Sequence, residues 1–302
     1  MKPAEVGTPM PSDLTPSLTR RGMVAEALEN QGEPQIMGII NVTEDSFFAG
    51  SRTSGDTAVE RACAMFDAGA IWVDIGGEST RPGAMPLSTD EECRRVLPVI
   101  KALRTARPEG FISIDTRHPT VARQALEAGA DMINDVSGLR EPAMRQLVVE
   151  SGCAVCIMHM QGEPGTMQKN PTYGNCATEV GNMLQEVRDD LISKGHPEEL
   201  IVLDPGIGFG KTQAHNIELL QAGKHLTSQP TNRLLWGVSR KSIVGHLTGQ
   251  QHPEHRLPGT LALATVAHRI GVDILRVHDV QEHIDVFNAL KPFTKSSNRR
   301  EE

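Results

Sequence analysis

Short apolar runs recur along the chain, and each stops abruptly at a polar, ionisable or Gly-Pro cluster. Residues 36–40 stop at Asn41, 71–75 at Gly76-Gly77-Glu78, 111–114 at Asp115, and 132–133 at Asn134-Asp135. Further on, 154–158 stop at His159, 201–203 at Asp204-Pro205-Gly206, 234–238 at Ser239-Arg240-Lys241, and 274–277 at His278-Asp279. Runs this short, bounded by turn residues, predict buried strands. Stretches of helical composition follow them. In residues 57–67, Ala58, Ala62, Met65 and Phe66 make one apolar stripe that Gly69 ends, and residues 119–128 open on Pro119 and stop before Gly129. Residues 261–270 are apolar on most sides, more than one core-facing stripe needs, which suggests a subunit contact and a homodimer, with a tight intrachain pocket as the alternative. Eight strand-then-helix units predict an α/β protein of the (β/α)8 TIM barrel class. Its chemistry gathers at the carboxyl-terminal mouth, so the ends of the runs sketch the site.

Length and charge narrow the picture. The 302 residues, 38% hydrophobic, suffice for one large core. With 30 basic and 38 acidic residues the chain carries a formal charge of −8, so no basic face exists for a nucleic acid. No apolar stretch approaches the roughly 20 residues that cross a bilayer, which argues against a membrane partner. Residues 1–34 are expected to be a flexible leader with a short helix near 22–30, residues 35–290 the catalytic barrel, and residues 291–302 a polar, solvated tail. The leader lacks an apolar secretory segment, and five scattered cysteines suit reduced thiols, so a cytoplasmic location is expected. Cys153 and Cys156 lie three apart on one strand and face opposite ways, as structural thiols.

The candidate chemistry begins with a motif to discount. Gly206 to Thr212 ends in Gly-Lys-Thr, but a phosphate-binding P-loop needs glycine where this chain has Pro205. The segment reads better as a flexible loop carrying Phe209 over the mouth. Asp115, Asn134 and Asp204 offer carboxylate and amide groups from three strand ends, with Lys241 alongside. That set matches a heterocycle with adjacent N–H and NH2 donors, such as a 2-amino-4-oxo-pyrimidine ring. Arg276 and His278, two apart on the eighth strand, are expected to point the same way beside Asn41, a combination suited to diphosphate and Mg2+. Ser239 to Ser242 form a strand-to-helix turn whose backbone N–H groups and helix dipole favour a carboxylate.

A ring reader, a diphosphate anchor and a carboxylate seat suit condensation of a pterin diphosphate with an aromatic acid. Over residues 36–290 the chain resembles the dihydropteroate synthase family of pterin-binding enzymes. Eight segments carry the likeness in order: residues 37–47 and 74–83, Ser113 to Thr116, Ile133 to Asp135, Met158 to Gly162, Leu203 to Gly206, Ser239 to Ser242, and Arg276 to Asp279. The resemblance implies condensation of 6-hydroxymethyl-7,8-dihydropterin diphosphate with 4-aminobenzoate, giving 7,8-dihydropteroate and diphosphate for folate biosynthesis. It implies a pterin site at Asp115, Asn134, Met158, Asp204 and Lys241, and diphosphate with Mg2+ at Asn41, Arg276 and His278. The benzoate would lie among Thr80, Arg81, Pro82, Phe209, Ser239 and Lys241.

The first loop departs from the family pattern N-V-T-P-D-S-F-S-D-G, since Glu44, Phe48 and Ala49 stand in place of Pro, Ser and the second Asp. Two other uses of the ring site stay open on sequence alone, a noncatalytic pterin-binding paralogue and a corrinoid-linked pterin methyltransferase.

Overall fold

The computed structural model describes residues 18–29, 32–42, 54–78, 87–227, 229 and 231–293. Eight parallel strands close into a barrel in sequential order: β1 Gln35–Asn41, β2 Trp72–Gly76, β3 Phe111–Asp115, β4 Met132–Asp135, β5 Ala154–Met158, β6 Ile201–Asp204, β7 Arg233–Trp236 and β8 Ile274–Val277. Closure comes from β8 against β1, with Gln35 opposite Ile274 and Met37 opposite Arg276. Around it lie α2 Ser54–Asp67, α3 Thr89–Ala106, α4 Pro119–Glu127, α5 Pro142–Ser151, α6 Cys176–Ser193, α7 Gln213–Ala222, α8 Ser242–Thr248, α9 Leu257–Ile270 and α10 Val280–Leu290.

The period-two pleat divides each strand between two cores. Ile36, Val73, Ile112, Ile133, Val155, Leu203, Leu234 and Leu275 pack outward against the helices. Met37, Trp72, Met132, Ala154, Cys156, Val202, Leu235 and Ile274 fill the lower interior. The Cys-x-x-Cys pair divides the same way, with Cys153 in the outer core and Cys156 in the inner one, both free thiols.

The amino-terminal end of the barrel is plugged. Residues 18–34, expected as part of a flexible leader, include α1 Leu18–Ala27, and Val24 and Leu28 join the interior core. Spaced four apart, these two side chains share a helix face and cover apolar surface the strands leave open. Polar contacts fix the orientation. Arg20 grips buried Asp131 through Nε at 2.8 Å and Nη2 at 2.9 Å, and donates to the Gly110 carbonyl at 2.7 Å. From the barrel side, Arg233 Nε donates to the Leu28 carbonyl at 2.7 Å. Residues 1–17 and the tail from 294 onward lie outside the described residues. Among the described residues, no helix is long and apolar enough to cross a membrane.

Candidate active site

Strand parity explains why scattered polar residues meet. Asp115, Asn134, Asp204 and Arg276 each follow an interior side chain by an even number of residues, after Phe111, Met132, Val202 and Ile274. Even spacing keeps them facing inward above the apolar plug. Ladder register then sets their heights. Asn41 pairs with Gly76, Gly76 with Asp115 and Asp115 with Asn134, one continuous row, while Met158 pairs with Asp204.

A residue that sequence reasoning missed ties this row together. Asp74 sits inside the apolar run of β2, inward like Asp115, and is fully buried. Its Oδ2 accepts from Arg276 Nε at 2.5 Å and from Asn134 Nδ2 at 3.0 Å, while Arg276 Nη2 reaches Asp115 Oδ2 at 2.6 Å. The available signal was the parity of an acid two residues beyond Trp72. Arg276 therefore bridges two buried carboxylates rather than standing as a free anion anchor. Burial pushes the Asp115 carboxyl up; the Arg276 charge opposes this, while Asp74 reinforces it.

Asp204 supports the sixth loop with one oxygen and leaves the other toward the mouth. Its Oδ1 accepts the Gly206 N–H at 2.7 Å. Gly206 has φ +65°, and a Cβ there would lie 1.9 Å from the His159 carbonyl oxygen, so only glycine fits this turn against the end of β5. The expected flexible loop is pinned. Gly208 N–H donates to Asn216 Oδ1 at 2.7 Å, Tyr173 Oη–H to the Gly210 carbonyl at 2.8 Å, and Lys211 Nζ to the Phe209 carbonyl at 2.9 Å. Lys211 is also 3.0 Å from His159 Nδ1, and burial lowers its pKa to about 7. A lysine held inward in this way is not the phosphate-binding lysine of a P-loop.

The pinned loop positions an apolar wall beside the charged floor. Phe209 packs with Val136, Met158, Met160 and Met167, and Lys241 Nζ lies 4.4 Å from the Phe209 ring centroid. Lys241 donates to the Ile207 carbonyl at 2.7 Å. Burial lowers its pKa to about 8, although the Asp204 charge acts in the opposite direction.

At β7 and β8 the structure revises two expectations. Arg276 turns into the barrel, whereas His278 lies beyond the strand, exposed, with Nδ1 2.9 Å from Ser239 Oγ. The strand ends at Val277, so the two-residue alternation that would align the pair no longer applies at His278. The seventh turn does not present free amides at Arg240 and Lys241, because these N–H groups donate to Thr260 Oγ1 at 3.1 Å and to the Val238 carbonyl at 3.1 Å. Arg240, at φ +56°, pairs instead with Asp279 at 2.8 Å and 2.5 Å. Buried Ser239 and partly buried Lys241 remain the polar side chains that this turn directs to the site. Asn41 is exposed at the end of β1. Thr80, Arg81 and Pro82, like Glu44, Phe48 and Ala49, lie outside the described residues.

The barrel that carries this floor of Asp74, Asp115, Asn134, Asp204 and Arg276, walled by Met158, Phe209 and Lys241, is similar to those of known proteins. Residues 37–278 match the model of the pterin binding enzyme family. The dihydropteroate synthase of Escherichia coli strain K12 is 44% identical over 261 residues, covering 85% of this chain and 91% of that protein. A Xanthomonas albilineans dihydropteroate synthase solved with 4-aminobenzoic acid superposes with TM-score 0.79 at 40% identity, over 86% of this chain and 93% of that one. The Burkholderia cenocepacia enzyme complexed with 7,8-dihydropteroate superposes with TM-score 0.77 at 40% identity, over 86% and 92%. A shared barrel and this degree of identity over nearly the whole of both partners place the chain in the pterin binding enzyme family, among its dihydropteroate synthases.

Proposed function

We propose that this chain condenses 6-hydroxymethyl-7,8-dihydropterin diphosphate with 4-aminobenzoate to give 7,8-dihydropteroate and diphosphate, a transferase step of folate biosynthesis. The observation that carries this reading is the row of inward carboxylate and amide groups bridged by Arg276. Asp204 has an oxygen free of the Gly206 bond, and it lies two residues further along the strands than the row that Asp115 and Asn134 share. Together they satisfy the N–H and NH2 edge of a pterin, a pairing that charge strengthens in a dry site. Met158 and Phe209 supply the apolar wall for the ring.

The aromatic acid is assigned to the space beside Phe209, Ser239 and Lys241, with Thr80, Arg81 and Pro82 as its remaining neighbours. In the reaction the arylamine nitrogen forms its bond to C9 as the C9–O bond to diphosphate breaks, and the amine proton is released. No covalent enzyme nucleophile is required. His278 and the part of Arg276 that faces the mouth stabilise charge developing on the departing diphosphate. Asn41 suits Mg2+: its amide is exposed at the rim, and this metal uses one or two protein oxygens and takes phosphate and water for the rest. When bound there, Mg2+ supplies charge neutralisation to the diphosphate.

A homodimer through α8 and α9 is supported by Leu247 and Val266, exposed apolar side chains on these adjoining helices. A cytoplasmic location is supported by the five free cysteines. The test is diphosphate release from the pterin diphosphate with and without 4-aminobenzoate. Release that depends on 4-aminobenzoate is expected. No release, with the pterin still bound, overturns the catalytic reading in favour of a binding protein.

A further inference from the structure

Away from the ring-binding floor, one buried cluster has more polar atoms than partners. Glu78 follows β2, Glu92 lies in the first turn of α3, and His118 precedes α4. One ligand-type atom from each falls within 4.8 Å of the others. His118 Nε2 is 3.9 Å from Glu78 Oε2 and 4.0 Å from Glu92 Oε2. Glu92 is completely buried, and neither its two oxygens nor His118 Nε2 has a hydrogen-bond partner among the described residues. Glu78 alone is well held. Arg117 grips it at 3.0 Å and 3.1 Å, and the Leu87 N–H donates to its Oε1 at 3.1 Å.

Three orphaned polar atoms facing one another in a dry pocket are costly unless something joins them. We propose that Glu78, Glu92 and His118 form a binding site for a divalent transition-metal ion of the zinc type. Such an ion takes imidazole nitrogen and carboxylate oxygen at about 2.0–2.2 Å, which places neighbouring donors roughly 3.4 Å apart in a tetrahedron. The separations of 3.9 Å and 4.0 Å therefore need a contraction of about half an ångström, within reach of side-chain torsions. The imidazole selects against Mg2+, which prefers oxygen. Water fills the fourth position. Arg117, which donates to both Glu78 oxygens, orients that ligand and offsets its charge while each oxygen keeps a further lone pair.

The electrostatics agree with the geometry. Burial pushes the Glu92 carboxyl up to about 7, eased in part by the nearby Thr116 hydroxyl, which lies outside hydrogen-bond geometry, and reinforced by the charges of Glu78 and Asp115. Burial also lowers His118, which favours the neutral imidazole that binds metal. The ion would tie the end of β2 to the starts of α3 and α4. It would thus hold Glu78 and Leu87, the two residues that flank 79–86.

The test uses the untagged full chain stripped with EDTA and titrated with ZnCl2 against a chromophoric chelator. One equivalent should bind and raise Tm, and excess MgCl2 should not displace it. Glu92→Gln, which keeps the shape, and His118→Gln, at a partly exposed position, should each weaken zinc binding about tenfold or more and abolish the Tm rise. Crystals soaked in ZnCl2 should show anomalous density between the three side chains. Failure of the parent chain to bind zinc, or unchanged affinity in both variants because other histidines hold the ion, overturns the assignment.

Discussion

Replacing Asp204 by asparagine isolates one atom of the ring site. Asp204 is 5% exposed, and its Oδ1 accepts the Gly206 N–H at 2.7 Å, a bond that the asparagine carbonyl can keep. The close approach of Gly206 to His159 is therefore preserved, and the change falls on the oxygen facing the mouth. That oxygen becomes an NH2 group presented to a ring donor. A hydrogen bond to a charged acceptor contributes roughly 1.5–3 kcal/mol, so pterin affinity should fall by about 10- to 150-fold. The fold should hardly notice, because burial already pushes the Asp204 carboxyl up and the native state gains little from its charge. Calorimetric titration with a pterin and urea denaturation of the same samples separate the two quantities. Pterin binding within twofold of the parent, with stability unchanged, refutes the assignment of Asp204 to the ring. A parallel collapse of stability refutes the argument that the Gly206 bond survives.

Arg276→Met should weaken diphosphate and pterin diphosphate binding, and it should also destabilise the barrel by about 3–5 kcal/mol, because Asp74 and Asp115 lose a buried counter-ion; a urea midpoint equal to the parent's contradicts the bridging role. His196 is buried, its ring nitrogens lack partners among the described residues, and burial, then the nearby Arg21 charge, lowers its pKa to about 4. Between pH 6.5 and 4 the unfolded chain takes up a proton there that the native state refuses, so stability falls as pH falls, by on the order of 3 kcal/mol in total. His196→Phe should flatten that part of the curve, read from urea midpoints at pH 7 and 4.5. Arg20→Ala removes the clasp on Asp131 and should speed amide exchange in α1 while β3 and β4 stay protected; equal protection of α1 in both proteins shows that Val24 and Leu28 anchor it alone.

The barrel was legible because apolar runs of strand length, their polar endings and the Gly and Pro punctuation are local signals. Period-two parity also places Asp115, Asn134 and Asp204 on the inner face of their strands, and that much needs no coordinates. Three-dimensional proximity is a different matter. Asp74 lies 202 residues from Arg276 along the chain, and no local pattern marks a pair that meets only when β8 closes against β1. The same holds for the clasp between Arg20 and Asp131, which turned part of an apparently loose leader into the barrel's plug. Composition made residues 18–34 look solvated, since Val24 and Leu28 are too few to signal burial until an apolar opening of matching size exists. The seventh turn shows the converse limit. Its sequence predicts free amides, yet Thr260 and the Val238 carbonyl accept them, and Arg240 is drawn to Asp279. Sequence determined which groups each element offers and toward which face; tertiary closure decided which of them neutralise one another and which remain for a ligand.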